Sequence, residues 1–193
     1  RFRTIDKENT GVSDTRNQAM LLARGTYLQF LDSDDWLTPD ATESLAEAAR
    51  ADDCDLVVAD FYRVNGKRYV EKKHIKKTHV MTREEFAMEM AENPADFYYG
   101  VMWNKLYRKS ILLEHQIQCD TSMNWCEDFV LNLQMIRHAE RFRALQKPIY
   151  YYMKRKGSLV STEAVSTEAV KVKFELLEKY RDLYQSIGLY EEH

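Results

Sequence analysis

The densest chemistry in this chain lies in Asp32, Ser33, Asp34 and Asp35, which close the apolar run Tyr27–Leu31 in the stretch YLQFLDSDDWLTPD. The run reads as a buried strand. Side chains along a strand alternate between faces, so Asp32 and Asp34 at its carboxyl end point the same way. Two carboxylates on one face repel each other unless a cation sits between them. Mg²⁺ or Mn²⁺, held by one or two carboxylates and completed by substrate phosphates, suits oxygen ligands of this kind. Ligands of open α/β sheets bind outside the carboxyl ends of strands, where this cluster falls. The plainer alternative is a solvated acidic loop ahead of a helix, with Thr38 as N-cap and Pro39 at the first helical position.

The elements that must position these groups can be read from periodicity. Phe2–Ile5 reads as a short strand. Ser13 is placed to cap a helix carrying Ala19, Met20, Leu22 and Ala23 and ending near Gly25. A second helix, Pro39–Arg50, turns Ala41, Leu45 and Ala48 or Ala49 to one side. Asp55–Tyr62 is rich in β-formers and reads as a core strand. Asn65-Gly66 marks a hairpin within Val64–Val80, whose flanks carry Lys72, Lys73, Lys76 and Lys77. These lysines form either a solvated face or a surface for anionic lipid headgroups or an anionic acceptor. Thr82 and Glu85 make a capping box for a helix to Ala91. Arg108–His115 and Glu127–Ala139 read as helices, the second with Val130, Leu133 and Ile136 inward. Phe142–Leu145 and Ile149–Met153 read as two strands separated by Pro148. Thr162–Ile187 reads as one long helix. STEAV occurs there twice in tandem, Ser161–Val165 and Ser166–Val170, with a five-residue period that matches no repeat architecture.

Asn9–Asp35, NTGVSDTRNQAMLLARGTYLQFLDSDD, resembles the family 2 glycosyltransferases, whose pattern runs N-x-G-x-S-x-A-R-N, then A-x-G-x-Y, then F-L-D-S-D-D. Trp103–Arg108 (WNKLYR) and Trp125–Phe129 (WCEDF) follow in the family's order, so the likeness spans most of Asn9–Ser161. It implies a GT-A fold of the α/β class, a mixed and mostly parallel sheet between helices, over residues 1–160, with a helical extension over 161–193. It also implies an N-terminal strand, turn and helix, on the order of 60 residues, that help build the nucleotide-base pocket and precede Arg1 in relatives.

The resemblance further implies an inverting transferase that moves a sugar from a nucleotide-diphosphate donor, a UDP-sugar, to a glycan or lipid-linked acceptor. Such transfer must neutralise the leaving diphosphate and deprotonate the acceptor hydroxyl. The likeness assigns the metal–diphosphate role to Asp34, with Asp32 supporting the metal or contacting the ribose and Asp35 structural. Arg16, Asn17 and Ser33 fall beside the nucleotide, as does Arg155 with its neighbours Lys154 and Lys156. Asp128 matches the family's catalytic base. Trp103 and Trp125 either stack on acceptor sugars or belong to the core, and Glu127 either joins them on the acceptor side or serves only the helix start. The implied cofactor is Mn²⁺ or Mg²⁺.

Composition narrows the alternatives. The chain has 193 residues, a net charge of −3 and 45% hydrophobic residues, which suits one soluble domain and argues against nucleic acid as a partner. Three cysteines, Cys54, Cys119 and Cys126, without CxxC spacing point to a reducing compartment and no zinc site. No apolar run is long enough to span a bilayer and no signal peptide is visible. The expected location is therefore cytoplasmic, with peripheral association at the inner face of the plasma membrane. A HAD-type phosphatase is the rival enzyme, with Asp32 as nucleophile, but Asp35 stands where Thr or Val is expected. A non-enzymatic interaction domain is the third reading. Its acidic loop lacks EF-hand spacing.

Overall fold

The computed structural model describes residues 2–94, 96–123, 125–154 and 167–190. Six strands form one mixed sheet: β1 (Tyr27–Gln29), β2 (Trp36–Leu37), β3 (Leu56–Asn65), β4 (Arg68–Lys72), β5 (Lys105–Arg108) and β6 (Phe142–Met153), in the order β1-β5-β3-β6-β2, with β4 on the second half of β3. Helices α1 (Val12–Leu22), α2 (Ala41–Ala51), α3 (Arg83–Glu92), α4 (Phe97–Gly100), α5 (Lys109–Glu114), α6 (Glu127–His138) and α7 (Thr167–Ser186) flank it.

The mixed sheet between helices is as expected, but its parallel share is smaller. Only β3 and β6 run parallel among the described strands, and the other pairs are antiparallel. β3 is the central strand. Its residues Leu56–Phe61 are all buried, and all but Asp60 are apolar, as expected when both faces of a strand are covered. In α2 the buried positions Ala41, Leu45 and Ala49 recur every four residues, and the small alanines let the helix lie close to the sheet. Val130, Leu133 and Ile136 of α6 are buried as their spacing requires, and the Thr82–Glu85 capping box closes with both of its bonds. Helix α7 packs on α6, and its Tyr184 hydroxyl bonds the carbonyl of Ala87 in α3.

Several boundaries differ from expectation. Phe2–Ile5 is not a strand. Helix α1 begins at Val12 behind Gly11, whose φ of 91° suits glycine, and Ser13 lies inside the helix without capping it. The α1 helix stops at Leu22, short of Gly25. Strand β1 stops at Gln29, and Leu31 is exposed. Thr38-Pro39-Asp40 is a turn, with Ala41 N–H on the Thr38 carbonyl, so α2 starts two residues later than Pro39. Pro148 does not divide two strands. It sits opposite Asp60 at a register shift within the single strand β6, where a missing N–H is tolerated. Of the expected helix Thr162–Ile187, the part before residue 167 and the first STEAV copy lie outside the described residues.

That register shift carries a buried charge. Asp60 is 1% exposed, and neither carboxylate oxygen has a hydrogen-bond partner among the described residues. Burial, aided by Glu71 and opposed by Lys73, pushes its carboxyl up to about 7. A folded-state value above the unfolded one favours the folded state only while the group is protonated, so this contribution is complete below about pH 4 and lost as pH rises through 7. The wild-type chain should therefore lose stability relative to Asp60→Asn across that window, on the order of 3 kcal/mol in full. Paired denaturant titrations from pH 4 to 8 measure it, and parallel curves would refute it.

Candidate active site

The acidic stretch folds as a tight turn. Asp35 N–H bonds the Asp32 carbonyl at 3.2 Å, so Asp32–Asp35 forms a closed β-turn instead of a continuation of the strand. Tyr150 of β6 holds both ends of it. Its hydroxyl donates to Asp35 Oδ2 at 2.8 Å and receives the Asp32 N–H at 3.3 Å. Asp35 also accepts the Met153 N–H at 2.8 Å, and burial raises its carboxyl above the usual range. Asp35 is thus an anchor, as its place in the sequence suggested, while Ser33 and Asp34 stand exposed at the crest of the turn.

One guanidinium joins this turn to a second acidic pair. Arg16, on α1, reaches Asp32 Oδ1 at 2.9 Å with one nitrogen. With the other it reaches Asp128 Oδ1 at 2.6 Å and Glu127 Oε1 at 3.1 Å. Burial alone would loosen the guanidinium's proton, but Asp128, Asp32 and Glu127 more than reverse this and raise its pKa. Glu127 and Asp128 occupy the first turn of α6, where the helix dipole favours anions. Cys126 just before them adopts φ 67°, a left-handed conformation unusual outside glycine, and marks a sharp change of chain direction into the helix. Asp128 Oδ2 accepts the Met102 N–H at 3.3 Å. Burial is the strongest influence on Asp128 and pushes its carboxyl up to about 6 against the pull of Arg16.

The Met102 N–H belongs to a shelf, Tyr98–Met102, made of the end of α4 and the turn after it, whose carbonyls need donors. Asn132 of α6 gives its amide to the carbonyls of Tyr99, Gly100 and Val101 at 2.8–3.2 Å, while its own oxygen accepts the Tyr107 hydroxyl at 2.7 Å. Lys105 is wholly buried and donates to the carbonyls of Tyr98 and Val101 and to Asn104 Oδ1. Burial pushes its ammonium down to about 7, with Asp128 and Asp96 acting the other way. The Asn104 amide meets the carbonyls of Ala59 and Tyr98, both at 3.1 Å.

The expected site residues divide accordingly. Arg16, Asp32, Glu127 and Asp128 come together. Asn17 does not face them. It is buried and clamps the backbone of Cys119, accepting its N–H at 2.8 Å and donating to its carbonyl at 2.9 Å. Trp103 is 3% exposed and stacked on Tyr150 and Tyr152, so it belongs to the core and offers no face to an acceptor. Trp125 is half-buried ahead of α6, and Lys154 is exposed at the end of β6. Arg155 and Lys156 lie outside the described residues. Tyr150, Lys105 and Asn132 were not singled out by sequence reasoning. A lysine and an asparagine set inside apolar runs were the available signals for the last two.

The described residues contain no group of three or more His, Cys, Asp or Glu side chains that would hold a metal by themselves, and no helix long and apolar enough to cross a membrane. Cys54, Cys119 and Cys126 are free thiols.

The mixed sheet, with an acidic turn after β1 and an acidic helix start facing it through one arginine, has a fold of the GT-A type, as comparison with known proteins shows. The profile of glycosyl transferase family 2 matches residues 1–115, and the chain belongs to that family. It is 30% identical to the uncharacterized glycosyltransferase EpsJ of Bacillus subtilis, over 82% of this chain and 46% of that protein. It is 26% identical to the poly(ribitol-phosphate) beta-N-acetylglucosaminyltransferase TarS of Staphylococcus aureus, over 85% of this chain and 27% of that one. The structure of S. aureus TarS 1-349 in complex with UDP-GlcNAc superposes with a TM-score of 0.70 at 24% identity, covering 95% of this chain and 48% of that one. The chain thus spans less than half the length of these relatives.

Removing the shared cation should expose its importance. Arg16→Met leaves three carboxylates facing one another, at a cost of about 3 kcal/mol at neutral pH. Protonation relieves that repulsion, so the deficit should shrink as pH falls below about 6. Chemical denaturation of both proteins at pH 8 and pH 5 measures it, and an equal deficit at the two values would show that the loss is packing alone.

Proposed function

We propose that this chain carries the catalytic part of an inverting glycosyltransferase that moves a sugar from a UDP-sugar to a hydroxyl of a glycan or lipid-linked acceptor, with residues 1–160 as the catalytic unit and 161–193 as an extension. The observation that carries the reading is Arg16. One guanidinium contacts both the acidic turn, on the donor side, and Asp128, on the acceptor side. Family membership supports it over the phosphatase and non-enzymatic alternatives. TarS, whose structure was solved in complex with UDP-GlcNAc, supplies the precedent for the donor.

In this reading Asp34, at the exposed crest of the turn, and Asp32 beside it are the residues that would hold Mg²⁺ or Mn²⁺. The residues fit such an ion. The ligands are hard carboxylate oxygens, and these ions are commonly held by one or two carboxylates with substrate phosphates completing the shell. When bound, the ion supplies positive charge to the leaving diphosphate. Asp128 accepts the proton of the acceptor hydroxyl as the hydroxyl oxygen bonds to the anomeric carbon and the bond from that carbon to the diphosphate breaks. Attack opposite the leaving group inverts the centre. Its two bonds, to Arg16 and to the Met102 N–H, fix the carboxylate while leaving lone pairs for the hydroxyl. A base held near pH 6 is ionised at neutral pH and stronger than an ordinary carboxylate. Trp125 and Glu127 border the acceptor.

Two variants separate the roles. Asp128→Asn removes the proton acceptor without changing shape, so transfer should fall roughly 10²–10⁴-fold while donor affinity stays near wild type. Asp34→Asn should abolish the Mn²⁺ dependence of UDP binding with the fold intact. Calorimetry of UDP with and without Mn²⁺, paired with transfer rates, tests both. Near-normal turnover by Asp128→Asn would remove it from the mechanism. The wild-type rate should also fall as pH drops through about 6, as the base takes up its proton.

A further inference from the structure

Alternation along β3 and β4 sorts the charges of their hairpin by face. Directly opposed residues of a ladder share a face, and the register sets Phe61 against Lys72, Arg63 against Val70 and Asn65 against Arg68. Arg63, Arg68 and Lys72 therefore stand together on one face, all three exposed. The acid of the hairpin, Glu71, is on the opposite face with Tyr62 and Tyr69, where it pairs with Lys73 at 2.9 Å. Among the described residues none of the three cations makes a hydrogen bond or an ion pair. A chain of net charge −3 thus presents three cations and no acid on this face of the ribbon.

This is also the face of the acidic turn. Arg63 lies opposite Tyr152 of β6. Trp103 packs against Phe61, Tyr150 and Tyr152, which marks their common side, and Tyr150 anchors Asp35. The Tyr152 hydroxyl feels both neighbours. Burial raises its pKa, Arg63 lowers it, and Asp35, Asp34 and Asp32 raise it. From the turn before β2, across β6 and β3 to β4, the face thus runs from carboxylates to cations. Tyr152 and Phe97, half-buried with ring centroids 5.2 Å apart, lie between the two.

Spacing decides what these cations can meet. Arg68 and Lys72 are the diagonal neighbours of Arg63, about 7 Å from it, with Val70 in the middle. One carboxylate is answered by one arginine, whereas three cations so spaced suit a chain that repeats its negative charge. Guanidinium forks match pairs of phosphate oxygens. The β4 backbone lies three strand steps from the acidic turn, about 14 Å. A donor diphosphate held at the turn therefore leaves the β4 cations to the other substrate.

We propose that Arg63, Arg68 and Lys72 form an acceptor subsite for phosphate groups set back from the reacting hydroxyl, so that the acceptor is a phosphodiester-bearing chain. The cations hold one stretch of that chain, and Tyr152 and Phe97 floor its path toward the acidic turn. This rests on the transferase reading and names the acceptor class for it.

The test is calorimetric binding of a short synthetic glycerol phosphodiester oligomer to the full chain, with a phosphate-free glycerol oligomer as control. Only the phosphodiester should bind, and salt should weaken it. An exposed ion pair is worth up to about fivefold. Each of Arg63→Gln, Arg68→Gln and Lys72→Gln should therefore weaken binding about threefold, and the triple variant on the order of 30-fold. Lys73→Gln removes the same charge from the opposite face and should leave binding unchanged. All four positions are exposed, so no variant should lower the unfolding midpoint. Saturating UDP with Mn²⁺ should not displace the oligomer from the wild-type chain. Displacement would show that the cations hold the donor diphosphate and would overturn the proposal. So would equal losses for Lys73→Gln and Arg68→Gln, or binding to phosphatidylglycerol vesicles with none to the oligomer, which would make the face a membrane contact. Oligomer binding by a chain that binds no UDP would remove the transferase reading and the acceptor role with it. UDP binding without oligomer binding would overturn the subsite alone.

Discussion

Three carboxylates around one guanidinium form the constraint on which this site depends. Asp32, Glu127 and Asp128 come from a turn after β1 and from the start of α6, nearly a hundred residues apart in the chain, and Arg16 comes from a third element. Without a cation the acidic groups would repel one another in a partly buried place, where Coulomb interactions are stronger than in water. With it, the turn, α1 and α6 are bound to one position. The pair energies matter less than the geometry, because taking these ions out of water offsets much of their attraction. The contribution of Arg16 is to fix where the acids sit.

The same logic governs the neighbouring backbone. Tyr98–Met102 is the end of the four-residue α4 and the turn after it, so its carbonyls have no following helical turn to bond, and buried backbone acceptors must find donors. Asn104, Lys105 and Asn132 supply them. Wholly burying a lysine with no carboxylate bonded to it is costly, and the lowered ammonium pKa is that cost expressed as proton affinity. The result is a shelf held from three sides, whose last N–H points at Asp128. A helix or strand in its place would have spent that N–H on its own hydrogen bonding.

How much of this was legible in the sequence follows from which forces are local. The α6 core stripe, the α3 capping box and the Asn65-Gly66 hairpin depend on neighbours a few residues away, and periodicity or turn chemistry revealed them. The acidic turn and the Glu127–Asp128 pair were visible as residues, but their meeting through Arg16 was not, since contact across the fold leaves no local trace. Asn17 and Trp103 show the converse. Both sit in motifs that suggested ligand contact, yet long-range packing turned Asn17 onto the backbone of Cys119 and Trp103 onto Tyr150. The Asp32–Asp35 segment was read as a strand end because Tyr27–Leu31 is apolar throughout. The closing bond from Asp35 to Asp32 and the Tyr150 hydroxyl, contributed from a distant strand, made it a turn.

The charge count at the site carries one more step. Asp32, Asp34, Asp35, Glu127 and Asp128 converge there, with Arg16 the cation that bridges two of the segments. Burial raises the carboxyls of Asp35 and Asp128, which eases part of this crowding but leaves the surroundings of the turn acidic. On the reading proposed above, the donor brings a diphosphate, itself strongly anionic, toward that turn. Arg16 already serves three carboxylates, and turning it toward phosphate would release Asp128 from one of the two bonds that orient it. Lys105 is wholly buried and committed to backbone carbonyls. On that reading, Arg16 keeps the two acidic segments in place, and a divalent ion delivered with the donor would answer part of the negative charge that remains.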